Sequence, residues 1–568
     1  MRTEQNRAEQ SRTEQTGYPS IDKPWLNYYS EEAIKCELKL GNLYDVLYDN
    51  NKMHLDEIAI EYFNKKISYK ELFDNIRKTE MAFRNIGVTM GEIVILSMVT
   101  TPELIYSFYA LAKIGAVANI IDPRVEKNEL NRMVEETHSN IIMCVDLVAE
   151  HISKLLSNNE TIIIAVSPGE SLSGIYKLGF QLKNKKKVPK SVMHWKDFIA
   201  VKNIQKEFSD NVFPENVVLI THTSGTTGKS KGVMLSHNNI NAVAMQYRLG
   251  MEYSRQQKYM AIIPPFIAFG ICVAIHLPLC LGMICIPIPK FEVASFYNLL
   301  KKYKPNHFTC TPSNLEYLSN DRRKIDLSML IVPSVGGDYI SWKTEEKINS
   351  YLKKHGVKYD LVKGYGMTEV SSSACTTKNG YNKPGSVGFP LAKMIISIFQ
   401  PETERELKYN EEGEICFTGP NVMIGYYNNV EATNTTIRKH CDGKKWVHSG
   451  DIGYMDKNGF LYVIDRMKRI IHLSNGVMLL PSKIERCILE LNQVSSCAVI
   501  GHMYGKELKA RAYVTSIDEI NEKEIMSYCR KNLANNILPQ DIVFIDKLPL
   551  TPVGKIDYIK LEKMDKAD

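Results

Sequence analysis

Thr221-His222-Thr223-Ser224-Gly225-Thr226-Thr227-Gly228-Lys229-Ser230-Lys231-Gly232 is the stretch on which the reading of this chain turns. It follows the apolar run VVLI at 217–220, which reads as a strand. Glycines at 225, 228 and 232 let a backbone approach an anion closely, while hydroxyls, amides and ammonium groups donate to phosphate oxygens. The stretch therefore reads as a polyphosphate clamp on a loop leaving a strand. Its tail, Gly228-Lys229-Ser230, invites the commoner phosphate-loop reading, but Thr223 stands where that motif needs its first glycine. A polar surface turn is the alternative for any Gly/Ser/Thr cluster, and the rest of the chain decides between them.

A chain of 568 residues exceeds one core and implies two or more domains. Apolar residues at 44% and charged residues at 24% are an ordinary globular composition. A formal charge of +7, spread thinly, argues against nucleic acid. The dense basic run at 183–190 reads as a solvated loop. Twelve scattered cysteines without metal-ligand spacing, and no secretory leader, suggest reduced thiols in a cytoplasmic protein and no zinc site. The apolar stretch 261–289 is broken by Pro264, Pro265, Gly270, Pro278 and Gly282, so a buried helix and strand are expected there and no transmembrane segment.

Residues 1–16 repeat RTEQN-RAEQS-RTEQT with nothing to bury, so a disordered tail is expected, with regular structure from Asn42. Ser68 and Glu71 form a capping box ahead of apolar residues at helical spacing, and Gly87 stops the helix. A strand at 92–98, a helix at 101–113 and a strand at 117–121 follow. Further strands are expected at 140–145, 161–166, 217–220 and 329–333, which together imply a parallel sheet flanked by helices. Segments 395–399, 413–418 and 460–464, spaced by turn residues, read as antiparallel.

Four more segments carry chemistry. Gly364-Tyr365-Gly366-Met367-Thr368-Glu369 sets an aromatic face, a hydroxyl and a carboxylate on one turn. Trp446-Val447-His448-Ser449-Gly450-Asp451 offers a carboxylate on a Gly-bearing turn. Asp465-Arg466-Met467-Lys468-Arg469 is a charged junction, and the loop ending Pro552-Val553-Gly554-Lys555 presents a late lysine. In order and content these segments resemble the adenylate-forming superfamily of acyl- and aryl-CoA synthetases, peptide-synthetase adenylation domains and firefly-type luciferases, over 42–561.

The resemblance implies an α/β fold: a large N-terminal domain (42–468) of flanked, mostly parallel sheets plus a small β-barrel-like region, and a small mobile α+β C-terminal domain (469–568), after a disordered tail and lead-in (1–41). It implies a two-step ligase using ATP, Mg²⁺ and coenzyme A, or a carrier protein's phosphopantetheine. A carboxylate attacks the α-phosphate to form an acyl-adenylate and pyrophosphate, and a thiol then displaces AMP. Thr223, Ser224, Gly225, Thr226, Thr227, Gly228 and Lys231 are implied to hold the leaving pyrophosphate, where charge accumulates. Tyr365 and Gly366 would lie against the adenine, edged by Gly336, Gly337 and Asp338. Glu369, beside Thr368, would hold Mg²⁺ as a hard oxygen ligand. Asp451 would accept the ribose hydroxyls, Arg466 would donate to the ribose, and Lys555 would bridge carboxylate and α-phosphate.

Rotation at Lys468 and Arg469 is implied to exchange the Lys555 loop for the thiol-binding loop at His472 and Gly476. Ser230 stands where relatives commonly carry proline, a change expected to loosen the clamp. Asp465 stands where glycine is frequent. The region 264–270 lacks the acid that pairs an amino acid's ammonium, so an α-amino acid is disfavoured. Ile267, Phe269, Thr311 and Val335 would form an apolar acyl pocket for a fatty or other apolar acid. The expectation is an acid:CoA ligase. Loading of a carrier protein is the alternative, and a non-catalytic adenylate-binding protein is the reading from another class.

Overall fold

The computed structural model describes residues 15–156, 161–174, 176–177, 180, 188–200, 210–223, 230–474, 476–550 and 556–566. Among these, two large sheets form the main body. One runs Gly425–Tyr426, Gly232–Ser236, Val217–His222, Val117–Ile120, Ile93–Ser97, Ile141–Val145, Ile162–Val166, Met193–His194. From Val217–His222 onward the neighbours are parallel. Gly232–Ser236 instead turns back antiparallel on Val217–His222 and pairs antiparallel with Gly425–Tyr426. The clamp therefore joins two antiparallel strands, and the next helix starts only at His237. A Walker-type loop leads directly into a helix, which is the structural reason the motif does not fit.

The helices that follow strands Lys65–Ser68 and Ile93–Ser97 form where local chemistry starts and stops them. Ser68 Oγ accepts from Glu71 N at 3.2 Å, and Glu71 accepts from Ser68 N at 2.8 Å. Together they satisfy N–H groups that would otherwise be orphaned at the start of helix Tyr69–Asn85. That helix buries Leu72, Phe73, Ile76 and Phe83 on one face. Thr101 caps helix Pro102–Ile114, and Gly115 at φ 81° ends it.

The second sheet runs Phe389–Pro390, Cys375–Thr376, Val362–Tyr365, Val332–Gly336, His307–Cys310, Lys258–Ala261, Ile284–Pro287, Ile58–Tyr62, Lys65–Ser68, parallel in its middle and antiparallel at both ends. The strand expected at 329–333 lies at Val332–Gly336, because Leu327–Leu330 closes a turn instead. The apolar stretch at 261–289 is a π-helical segment Gly270–His276, a short helix Leu277–Cys280 and the strand Ile284–Pro287. No described helix is long and apolar enough to cross a membrane. A third, antiparallel sheet contains Ile395–Phe399, Gly413–Thr418, Lys445–Met455, Ile437–Lys439 and Leu461–Arg466.

Regular structure begins ahead of Asn42, in helices Pro19–Asp22 and Glu31–Lys35 and the 3-10 turn Pro24–Tyr28. Trp25 is buried in the main core, and Tyr29 Oη donates to Pro390 O at 3.0 Å. Two aromatic anchors thus hold a lead-in that follows a polar repeat, whose first 14 residues lie outside the described ones. After Arg469 the chain builds a separate core from Ile471, Leu479, Ile484, Ile488, Val499, Val514 and Ile525, around strands Val494–Tyr504, Glu507–Ser516 and Asp541–Phe544. Helix Pro481–Leu489 ties this core to the third sheet: Arg486 donates to Val463 O and Ile464 O at 2.8 and 2.7 Å, and Ser482 N donates to Asp465 Oδ2 at 2.8 Å. Asp465 is buried in this seam.

Candidate active site

The clamp's mouth is closed by its own backbone. Thr223 N donates to Lys231 O at 3.0 Å, and Lys231 N donates to Thr223 Oγ1 at 3.2 Å. Ser230 Oγ donates to Thr223 O at 2.8 Å, a third hydrogen bond across the mouth. Ser224, Gly225, Thr226, Thr227 and Gly228 lie outside the described residues, as does Lys555.

Glu369 sits in the 3-10 turn Thr368–Val370 and is buried. Tyr426 Oη donates to its Oε1 at 2.6 Å. Among the described residues its second carboxylate oxygen accepts no hydrogen bond. The same Tyr426 ring lies 4.4 Å from Lys231 Nζ, a cation–π contact. Strand Gly425–Tyr426 pairs with Gly232–Ser236, so the sheet itself carries Tyr426 to the place where the clamp ends and Glu369 begins. Sequence reasoning missed this residue: the pairing that gives it meaning spans almost two hundred positions, and nothing local marks it. Burial and the Glu369 carboxylate both push the Tyr426 phenol upward, so the neutral donor form is the one that meets the acid.

Tyr365 ends strand Val362–Tyr365. Its hydroxyl donates to Asp451 Oδ2 at 2.6 Å while its ring stays partly exposed. Burial, then the Asp451 charge, hold this phenol well above its ordinary range. Asp451 pairs across strands with Arg466, whose Nε lies 3.1 Å from Asp451 Oδ1. Asp451 was expected on a turn. It lies within the long strand Lys445–Met455, next to Gly450 at φ 70°. Gly336 ends the strand beside Gly364, and Gly337 takes φ 84°, exposing Asp338. Gly366 lies where a Cβ would come 2.2 Å from Ser372 O and 2.7 Å from Ser373 Cα. Gly366→Ala is expected to cost about 1–3 kcal/mol by forcing backbone apart, read as a lowered denaturation midpoint.

Phe269 and Val335 line a narrow cavity with Tyr247, Tyr253 and Tyr259. Its floor is a hydroxyl chain, Tyr259 Oη to Thr309 Oγ1 at 2.5 Å and Thr309 Oγ1 to Ser334 Oγ at 2.8 Å. Ile267 and Thr311 lie outside this lining. Thr311 has passed the end of its strand and starts helix Pro312–Ser319, its hydroxyl 2.9 Å from Ser313 Oγ. His472 and Gly476 sit exposed on a small hairpin whose strands are Ile471–His472 and Met478–Leu479. Lys468 and Arg469 form a 3-10 turn. Arg469 pairs with Asp465 at 3.2 Å and Glu485 at 2.5 Å and stacks 4.0 Å from the Tyr558 ring.

The sequence model of the AMP-binding enzyme family matches residues 47–427. The chain belongs to that family. The model of the AMP-binding enzyme C-terminal domain matches 483–555, the segment with its own core. The chain is 29% identical to a long-chain-fatty-acid–CoA ligase of Bacillus subtilis (strain 168), over 94% of this chain and 96% of that protein. It is 28% identical to a probable 4-coumarate–CoA ligase of Dictyostelium discoideum, over 87% and 89%. Its fold is similar to ATP-bound MatB from Rhodopseudomonas palustris, at 22% identity and TM-score 0.81 over 92% of this chain and 98% of that one. It is also similar in fold to the anthranilate CoA ligase AuaEII in complex with anthranoyl-AMP, at 20% identity and TM-score 0.80 over 94% of this chain and 99% of that one. Of the segments that order and content singled out, the described residues join the two ends of the clamp to Glu369 through Tyr426, and Tyr365 to Asp451 and Arg466.

Proposed function

We propose that this AMP-binding enzyme is an ATP-dependent carboxylic acid:CoA ligase acting on a fatty or other apolar acid. The observation that carries it is the meeting of Thr223 and Lys231 with Tyr426 and Glu369, alongside the Tyr365–Asp451–Arg466 chain. Segments from 223 to 466 converge where a nucleotide's phosphates, metal and ribose would each find a partner.

In this reading Asp451 accepts the ribose hydroxyls, and Tyr365, half-buried and held by Asp451, offers a ring face to the base along Gly336, Gly337 and Asp338. Thr223 and Lys231 hold the departing pyrophosphate, so negative charge builds against fixed donors. Glu369, buried and with one oxygen that accepts no hydrogen bond among the described residues, would fit a hard divalent cation. Mg²⁺ bound there supplies neutralisation of phosphate charge as the α-phosphate is attacked. The acid's carboxylate displaces pyrophosphate from the α-phosphate, and the thiol of coenzyme A then displaces AMP from the acyl carbon. Lys555 draws the two anions together in the first step. The turn at Lys468 and Arg469 serves as the hinge, and the His472–Gly476 hairpin as the thiol side. We assign the acid to the side of Phe269 and Val335, whose cavity of about 10 Å³ would have to widen to admit it. The named relatives include ligases for long-chain fatty acids and for 4-coumarate, so the test spans both.

The test is acid-dependent ATP–pyrophosphate exchange across alkyl and aryl acids, then addition of coenzyme A and mass detection of the thioester. Lys555→Ala is expected to lower exchange by about 10²–10³-fold, as for loss of a preorganised transition-state donor. An adenylate that forms and never passes to coenzyme A would sink the ligase reading in favour of a carrier-protein thiol. Absence of exchange with every acid would sink both.

A further inference from the structure

The strand that carries Asp451 is bulged. Glu414 pairs with Ile452 and Cys416 with His448, so two steps along one strand face four along the other. The extra residues, around Ser449-Gly450-Asp451, leave ladder groups without strand partners. Side chains fill the gap. Ser449 Oγ donates to Ile415 O at 2.6 Å, Asp451 N donates to Ser449 Oγ at 2.9 Å, and Gly450 N donates to Glu414 Oε1 at 3.0 Å.

The other oxygen, Glu414 Oε2, lies 2.8 Å from His448 Nδ1, and His448 Nε2 lies 3.0 Å from His440 Nε2. Glu414, His448 and His440 are all buried. Cys416 Sγ lies 3.5 Å from His448 Nδ1, and the donor atoms of Glu414, Cys416 and His448 fall within 4.8 Å of one another. These are metal-ligand residue types, but each Glu414 oxygen already accepts a hydrogen bond, so the trio is a bonded core and not an open ligand set.

We propose that Glu414 is a positioning residue for the nucleotide site: by accepting the bulge's Gly450 N–H, with His448 bracing its other oxygen, it aims Asp451 at the ribose. This rests on the reading of Asp451 as the ribose acceptor. Glu414 touches no substrate itself. Its contribution is to hold one backbone shape that a regular ladder would not produce.

The test compares kcat/KM for ATP and 3′-deoxy-ATP in pyrophosphate exchange. The natural enzyme is expected to favour ATP by about tenfold to a hundredfold, the worth of a hydrogen bond to a charged acceptor. Glu414→Met, which keeps volume and removes the acceptor, is expected to bring that preference below about threefold. Glu414→Gln keeps an oxygen for Gly450 N–H and is expected to retain most of the preference. A purely structural role would lower stability and leave the preference intact. Full preference in folded Glu414→Met therefore overturns the proposal while leaving the Asp451 reading standing. If that variant does not fold, Glu414→Asp decides: its oxygens fall one methylene short of Gly450, and undiminished preference there is equally fatal. No preference in the natural enzyme overturns both the Asp451 reading and this one.

Discussion

Glu369→Gln is expected to lower acid-dependent pyrophosphate exchange by about two orders of magnitude or more at ordinary Mg²⁺, with partial recovery as Mg²⁺ is raised. Substitutions of groups merely behind metal ligands already cost about 10–100-fold, and here the ligand itself changes. Glutamine is the informative replacement because its amide oxygen can still accept from Tyr426 Oη, now at 2.6 Å, so the local packing survives. What disappears is the anion. The loss should therefore appear in the Mg²⁺ dependence while the unfolding midpoint stays near the natural one. An unchanged Mg²⁺ requirement with normal turnover would remove Glu369 from the metal's coordination.

The second large effect is on stability. Lys363 Nζ lies 2.8 Å from Glu345 Oε2, with side chains 3% and 1% exposed. Lys363 Nζ also donates to Lys383 O at 3.2 Å, and Asn382 Nδ2 donates to Glu345 Oε1 at 2.8 Å. This pair joins helix Trp342–Lys354 to the strand that ends in Tyr365. Glu345→Ala strands a buried ammonium and is expected to destabilise by about 3–5 kcal/mol. Burial already lowers the Lys363 pKa, opposed by Glu345. Without Glu345 the folded-state pKa falls further below the unfolded one. The unfolded chain then binds more protons between the two values, so the variant's stability rises with pH through that window towards 10.5. Denaturant midpoints at neutral and at alkaline pH test this. A loss that does not shrink as pH rises would show that packing, not the stranded charge, sets the cost.

Much of the architecture was legible in the chain itself. The capping box at Ser68 and Glu71, the β-branched runs at 93–97 and 141–145, and the prolines and glycines through 261–289 each act within a few residues. Local patterning therefore reported them correctly to within a residue or two. The lead-in was less legible, because Trp25 and Tyr29 earn their order from distant partners. The acyl-pocket residues divided for a similar reason. Phe269 and Val335 line the cavity, while Thr311 had already left its strand for a helix start.

By itself the sequence determined the alternation of strands and helices, the family motifs and the residue types of a nucleotide site, because these follow from periodicity, capping and backbone permission over short spans. Only the tertiary structure decided that Tyr426 links Lys231 to Glu369, that Ser230 closes the clamp, and that Asp451 rides a bulge braced by Glu414. Each of those depends on which strand lies beside which. That choice is made by burying apolar faces across the whole chain, so no local pattern contains it.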